Sequence, residues 1–278
     1  MCKYMNGNIC ENQHRMNSIC NDPSDCEYLE EEYNMEMIEI LDEMLISSIS
    51  DTNEETVENL LERIPIAYEI CRERTPQFPA QEWRDDTNII PFAQGNHKLP
   101  KTTYIINLGT SGLCPGRALG TCKCCGVCYA HKAETQYKEG TIAYRLLQTI
   151  RWRTLSAETI ARQLLNKHHN AKVYKMHALR FNESGDVFDE EDIIKMSKIA
   201  DILAEEGIMV YTYTSRKDLD WSIKSNNLIV NGSGWMCDNQ FQIVKEFTDD
   251  MEYQCHGDCG TCDYCKFSKG IIIYVKEH

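Results

Sequence analysis

Residues 103–116 read TYIINLGTSGLCPG, and residues 178–186 read ALRFNESGD. In each, a short apolar run breaks into glycine, small polar residues and reactive side chains, as a buried strand does when it empties into a functional loop. The pattern recurs where Ile208 to Thr214 meets Ser215-Arg216 and where Asn227 to Val230 meets Asn231-Gly232-Ser233-Gly234. Between these runs the spacing predicts helices over about 141–153 and 157–167, the second capped by Ser156. A further helix is capped by Asp189, with Asp192 at its third position, and stopped by Gly207. The strand that ends in ALRF is expected to run from Lys172 to Phe181, and Ser215 is expected to cap a short helix. Phe241 to Val244 and Gly270 to Val275 close the series. Alternating strands and helices predict an α/β fold whose mostly parallel sheet curves as an open, partial barrel. Chemistry in such folds gathers in loops at the carboxyl ends of the strands, so the four loops should form one rim.

Working outward, the front of the chain has a different character. The net charge of −14 is concentrated there: residues 1–80 hold 18 Asp/Glu against 5 Lys/Arg, and the remainder holds 25 against 24. Residues 1–26 form a polar arm, with Cys2, Cys10, Cys20 and Cys26 spaced too widely and irregularly to define a site. Apolar residues at helical spacing follow from Glu27 to about Ile49, and Asp51-Thr52-Asn53-Glu54-Glu55 opens a second helix toward Ile64, with Pro65 beyond it. Paired prolines at Pro76 and Pro79 set the boundary between an acidic helical segment, 1–75, and a metal-binding α/β domain, 76–278. Neither an apolar leader nor a run of roughly 18 apolar residues is evident, which points to a reducing, cytoplasmic setting. There, 15 cysteines are ligands or redox groups before they are disulfides.

Nine of those cysteines fall into two loops. Cys255, Cys259, Cys262 and Cys265 lie within residues 255–265, with Gly257 and Gly260 between them. Zinc ribbons separate two Cys-x2-Cys knuckles by a dozen or more residues. These tight gaps instead suit a ferredoxin-type loop around a 4Fe–4S cluster, with zinc as the alternative. The loop at 114–128 offers Cys114, Cys122, Cys124, Cys125 and Cys128. Cys114, Cys122, Cys125 and Cys128 are the working set and Cys124 the rival; if only three bind, one iron is open to a ligand. A zinc knuckle bracing the loop is the plainer reading.

After the second strand, Arg180, Asn182 and Ser184 share one face by the period-2 rule, while Leu179 and Phe181 face helices. With Glu183, Gly185, Asp186 and the later Ser215, they suit a zwitterionic or polar cofactor beside a cluster, although Asp186 or Asp189 would equally serve as a cap. His177 reads as a surface histidine, and the pair His168-His169 as a helix end. Residues 131–180 hold 10 basic and 3 acidic side chains, among them Arg145, Arg151, Arg153 and Arg162. With Trp152 they offer a weak nucleic-acid reading, set against a solvated helix face.

The ordered motifs CPG…C…CYA, R-x-N-x-SGD, YTYTSR and CHGDCGTCDYC-x5-GIIIYV-x2-H resemble those of the phage gene product 88 protein family, over about residues 90–278. That resemblance implies a protein of a phage or mobile element, working in the host cytoplasm. The chain departs from the family pattern at Asn182, where histidine is usual, and in its longer first cysteine loop. The strand, cysteine loop and CxxCYA also look like radical S-adenosylmethionine enzymes, although the loop departs from their usual Cys-x3-Cys-x2-Cys. The resemblance implies a metalloenzyme with one cluster after the first strand, a second near the C-terminus, and S-adenosylmethionine met by Glu183, Ser184 and Asp186. The contrasting expectation is a zinc-stabilised interaction module whose acidic helices hold a basic protein.

Overall fold

The computed structural model describes residues 27–123, 128–136 and 140–277, with three two-residue strands in the first 26. Those strands, β1 (Met5–Asn6), β2 (Ile9–Cys10) and β3 (Ser18–Ile19), form a small antiparallel sheet. Two 22-residue helices follow, α1 (Glu27–Ser48) and α2 (Asn53–Arg74). Thr52 caps α2 by accepting from the Glu55 backbone N–H at 3.1 Å. The helix does not stop at Pro65 as its sequence suggests. Pro65 is exposed, so the lost backbone bond falls on the solvent side, while Leu60, Ile64, Ala67, Tyr68 and Cys71 keep a continuous buried stripe.

The α/β body comprises α3 (Gln81–Asp85), β4 (Ala93–Gln94), β5 (Thr103–Ile106), α4 (Pro115–Ala118), α5 (Tyr129–Gln136), α6 (Thr141–Thr154) and α7 (Ala157–Asn170). It continues through β6 (Ala178–Phe181), α8 (Glu190–Ala204), β7 (Met209–Thr214), β8 (Leu228–Ser233), β9 (Asn239–Val244), β10 (Tyr253–Cys255), α9 (Tyr264–Phe267) and β11 (Ile272–Lys276). Eight strands form one sheet in the order β10-β11-β9-β8-β7-β6-β5-β4, parallel throughout except for β4 against β5. The fold is therefore mixed α/β with a mostly parallel sheet that is not closed.

Several elements differ from expectation. β6 begins only at Ala178, because its neighbour β5 is four residues long and can pair no more. No helix starts at Ser215; the Arg216 guanidinium grips Asp218 at 2.8 Å, and a 3-10 turn forms later, at Trp221–Ile223, capped by Asp220. β8 and β9 are parallel yet joined by five residues, where such a connection ordinarily takes a dozen or more. Asp238 holds this link, accepting from the Val230 N–H at 2.9 Å while its own N–H donates to the Val230 carbonyl at 3.1 Å.

The two sheet faces bury different things. Tyr104, Ile106, Leu179, Phe181, Val210, Leu228 and Val230 face α7 and α8, together with Trp152, in the main core. Ala178, Tyr211 and Ile229, flanked by Met209 and Tyr213, lie on the opposite, inner face. A second core joins α1 and α2 to the body, where Leu41, Leu60 and Ile64 pack with Leu113, Ala118, Leu146 and Leu147. Leu60→Ala should therefore cost about 2–5 kcal/mol in denaturant unfolding. Removing residues 1–74 should leave an aggregating chain, detectable by size-exclusion chromatography, since it uncovers Leu113 and Leu146.

Candidate metal centres

The first cysteine loop is anchored from below by a buried carboxylate. Glu134 of α5 has no exposed surface, and Arg145 of α6 reaches it at 2.7 Å. It also accepts from the Ser111 N–H at 3.1 Å, the Ser111 hydroxyl at 2.5 Å and the Ser184 hydroxyl at 3.1 Å. Asn107 adds a second tie, its Oδ1 accepting the Ser184 N–H at 2.8 Å. The loops after β5 and β6 are thus locked together as one rim.

Asp186 fastens the next pair of loops. One carboxylate oxygen accepts from the Thr214 hydroxyl at 2.6 Å and the Val187 N–H at 2.8 Å; the other accepts the Ser215 N–H at 2.8 Å and hydroxyl at 2.7 Å. Burial raises its pKa, and these donors pull the other way. Ser215 is pressed against the cysteine loop, where a Cβ on Gly116 would meet its hydroxyl at 2.3 Å. The Gly116 carbonyl in turn accepts from the Cys122 N–H at 2.9 Å. Gly185, with φ +74°, lets the β6 loop cross Gly109, whose backbone N a Cβ would strike at 2.5 Å. Ser184, Gly185, Asp186 and Ser215 therefore position the first cysteine loop, and their polar side chains are engaged within the protein.

Cys114, Cys122 and Cys128 come within electrostatic range of one another above this rim. Burial, then the Asp186 carboxylate, pushes the Cys114 thiol well above its ordinary pKa; Cys128 is raised chiefly by burial. Cys124 and Cys125, the alternative fourth ligands, lie outside the described residues.

The second loop leaves β10 with Cys255 as its last strand residue. Cys255, Cys259, Cys262 and Cys265 all line one open cavity of about 660 Å³. Lys266 braces it from inside: 3 % exposed, its ammonium donates to the carbonyls of Cys259 and Cys262 at 3.0 Å each and to Asp263 at 2.8 Å. The loop lies over the inner sheet face, where Asn231 Nδ2 donates to the Cys265 carbonyl at 2.9 Å and the Tyr213 hydroxyl donates to the Cys265 sulfur. Burial pushes the Cys265 thiol up to about 11.

Arg180 stands beside the second loop. Its guanidinium lies 4.8 Å from the centre of the Tyr213 ring, with Tyr211, Glu183 and Cys265 as further neighbours. Nε of Arg180 and both amide atoms of Asn182 are buried without a hydrogen-bond partner. Four thiolates at about 2.3 Å from one zinc would stand about 3.8 Å apart. Among the described residues, the one group of three or more donors within 4.8 Å of one another is His168, His169 and Glu206. Sequence placed the two histidines at a helix end; Glu206 joins them only because α7 and α8 finish side by side.

Part of the basic stretch faces inward, while Arg162, Lys167, Lys172 and Lys175 are exposed. Arg145 pairs with Glu134, Arg153 with Asp189 and Asp192, and Trp152 is fully buried with its indole N–H on Asp192 at 2.7 Å. Arg145, Arg151 and Trp152 are thus engaged in contacts inside the protein, while Arg153 keeps 24 % of its side chain exposed.

Three outcomes follow from this geometry. Glu134→Gln should cost about 3–5 kcal/mol in unfolding experiments, because Arg145 is left buried without its counter-charge. Asp186→Asn should lower metal content at the first loop while leaving the second loaded, measured on variants retaining only one cysteine set. Metal uptake by the second loop should release protons to an indicator dye at pH 7 and weaken as pH falls, since thiols with raised pKa must lose protons to ligate.

A family model described as Gene product 88 matches residues 75–235, from the end of α2 past the carboxyl end of β8. No curated protein and no solved structure matches the chain. The matched region takes in the first cysteine loop and the whole polar rim, more than half of the molecule. The chain belongs to the Gene product 88 family.

Proposed function

We propose that this protein carries two iron–sulfur clusters, one in each cysteine loop. The observation that carries the reading is the convergence of Cys255, Cys259, Cys262 and Cys265 on one cavity, with gaps in sequence too short for a zinc ribbon. Four thiolates saturate four irons, so this cluster is structural or transfers electrons. At the first loop Cys114, Cys122 and Cys128 supply three ligands, and a fourth from Cys124 or Cys125 would close that cluster. Parallel strands laid down in sequence order, β5 to β9 and then β11, support a partial barrel of radical S-adenosylmethionine type, with the open end at the polar rim. When bound, the first cluster would supply one-electron chemistry; the chain's own residues hold the loop and shield it.

Anaerobic purification with iron and acid-labile sulfide analysis tests the reading. About eight irons and eight sulfides per chain are expected if both clusters are of the four-iron kind, and stoichiometric zinc without iron would sink it. Adding S-adenosylmethionine to the reduced protein should change the electron paramagnetic resonance signal if the first cluster has an open iron.

A second reading, a zinc-stabilised interaction module, is favoured by one observation on the front helices. Met35, Ile46, Ile49 and Ile66 are exposed among acidic side chains, a surface suited to a basic amphipathic helix. Reversing Glu39, Glu43 and Glu62 to Lys should abolish binding of a basic amphipathic peptide in fluorescence anisotropy. Equal binding by the reversed variant removes this reading.

A further inference from the structure

The ends of α7 and α8 bring together two imidazoles and a carboxylate that belong to neither cysteine loop. His168 and His169 stand in the last turn of α7, and Glu206 lies in the turn between α8 and β7. One donor atom of each falls within 4.8 Å of the other two. The group is remote from the cysteines. α7 leads to the amino end of β6 and Glu206 to that of β7, whereas the two cysteine loops leave the carboxyl ends of β5 and β10 in the same parallel array.

Local hydrogen bonding prepares these side chains for a cation. The Met176 carbonyl lies 3.1 Å from His168 Nδ1. A carbonyl only accepts, so Nδ1 carries the proton and the neutral ring keeps its lone pair on Nε2; metal-bound histidines are oriented by the same kind of bond. Neighbours on a helix ordinarily diverge by about 100°. Here the two rings converge instead, with centroids 5.4 Å apart and planes inclined by 72°. Glu206 is held by a closed turn, in which its own N–H and that of Ile208 donate to the Leu203 carbonyl at 3.1 Å each, and Gly207 sits at φ +70°.

The spacing and the donor types indicate the ion. His169 Nε2 and Glu206 Oε1 are 3.4 Å apart. That exceeds the roughly 2.7–3.2 Å of an N–H···O hydrogen bond. Two ligands about 2.0–2.1 Å from a tetrahedral zinc stand about 3.3–3.4 Å apart. Calcium and magnesium take oxygen ligands, whereas imidazole with one carboxylate suits zinc and its transition-metal neighbours. His169 and Glu206 are 52 % and 45 % exposed, so water has access to a fourth position.

We propose that His168, His169 and Glu206 form a zinc site that clamps the end of α7 to the turn after α8, and so fixes where β6 and β7 begin. The site is independent of what the cysteine loops hold.

Titrating the full chain, labelled with 15N-histidine and with its cysteine loops as isolated, with zinc chloride tests this by NMR. The imidazole signals of His168 and His169 should shift together and saturate with one equivalent. His131 and His256, each near cysteines in sequence, report separately any zinc captured by the loops. His169→Ala and Glu206→Gln should each weaken binding at this site about tenfold or more. Zinc should also raise the Tm of the parent chain further than that of either variant. Parental affinity in Glu206→Gln, or movement of one of the two histidine signals without the other, would reduce the group to a surface ion pair and overturn the proposal. So would unmoved His168 and His169 signals in a large excess of zinc.

Discussion

The carboxylate of Glu134, shut off from water and paired with Arg145, is the constraint on which the polar rim rests. A charge so placed is tolerated only when its oxygens are fully met, and here the donors come from three different segments: the loop after β5, the loop after β6, and α6. The helix that carries Glu134 starts one residue after Cys128, so the same pair also sets where the first cysteine loop returns to the body.

A second consequence is the division of labour between the two sheet faces. The helical face is apolar and close-packed, and it contributes rigidity. The inner face carries Arg180, Tyr211 and Tyr213, and is covered by the second cysteine loop. That loop extends as far as the β4–β5 turn, where a Cβ on Gly257 would approach Lys98 to 3.9 Å. Both cysteine loops and the unmet groups of β6 thus border one region, with Arg180 and Lys266 placed to offset thiolate charge. The acidic front helices are bound to this arrangement through apolar contacts and an ion pair between Asp42 and Arg117 at 2.7 Å, while Glu39, Glu43, Glu58 and Glu62 are exposed.

Much of this was legible before any coordinates. The alternation of Leu179 and Phe181 with Arg180 assigned the two faces of β6, because side chains on a strand alternate whatever surrounds them. Ser156 and Asp189 marked helix starts, because a capping bond is made within a few residues. Pro65 misled, since its effect depends on which side of the helix faces water, and the Ser215 helix failed because Arg216 found Asp218 first.

What the sequence by itself determined is local: strand and helix order, the faces of β6, the two cysteine loops, and the polar character of the strand ends. Tertiary structure alone decided which polar residues are spent on the protein and which are left over. Asp186 and Ser184 look as available in sequence as Asn182, yet the first two are engaged by Thr214, Ser215 and Glu134, residues up to 50 positions away, and Asn182 is not. Arg145 and Trp152 likewise read as surface groups until α5 and α8 bring Glu134 and Asp192 to them. A hydrogen bond is a relation between two groups in space, and only the folded chain supplies the second.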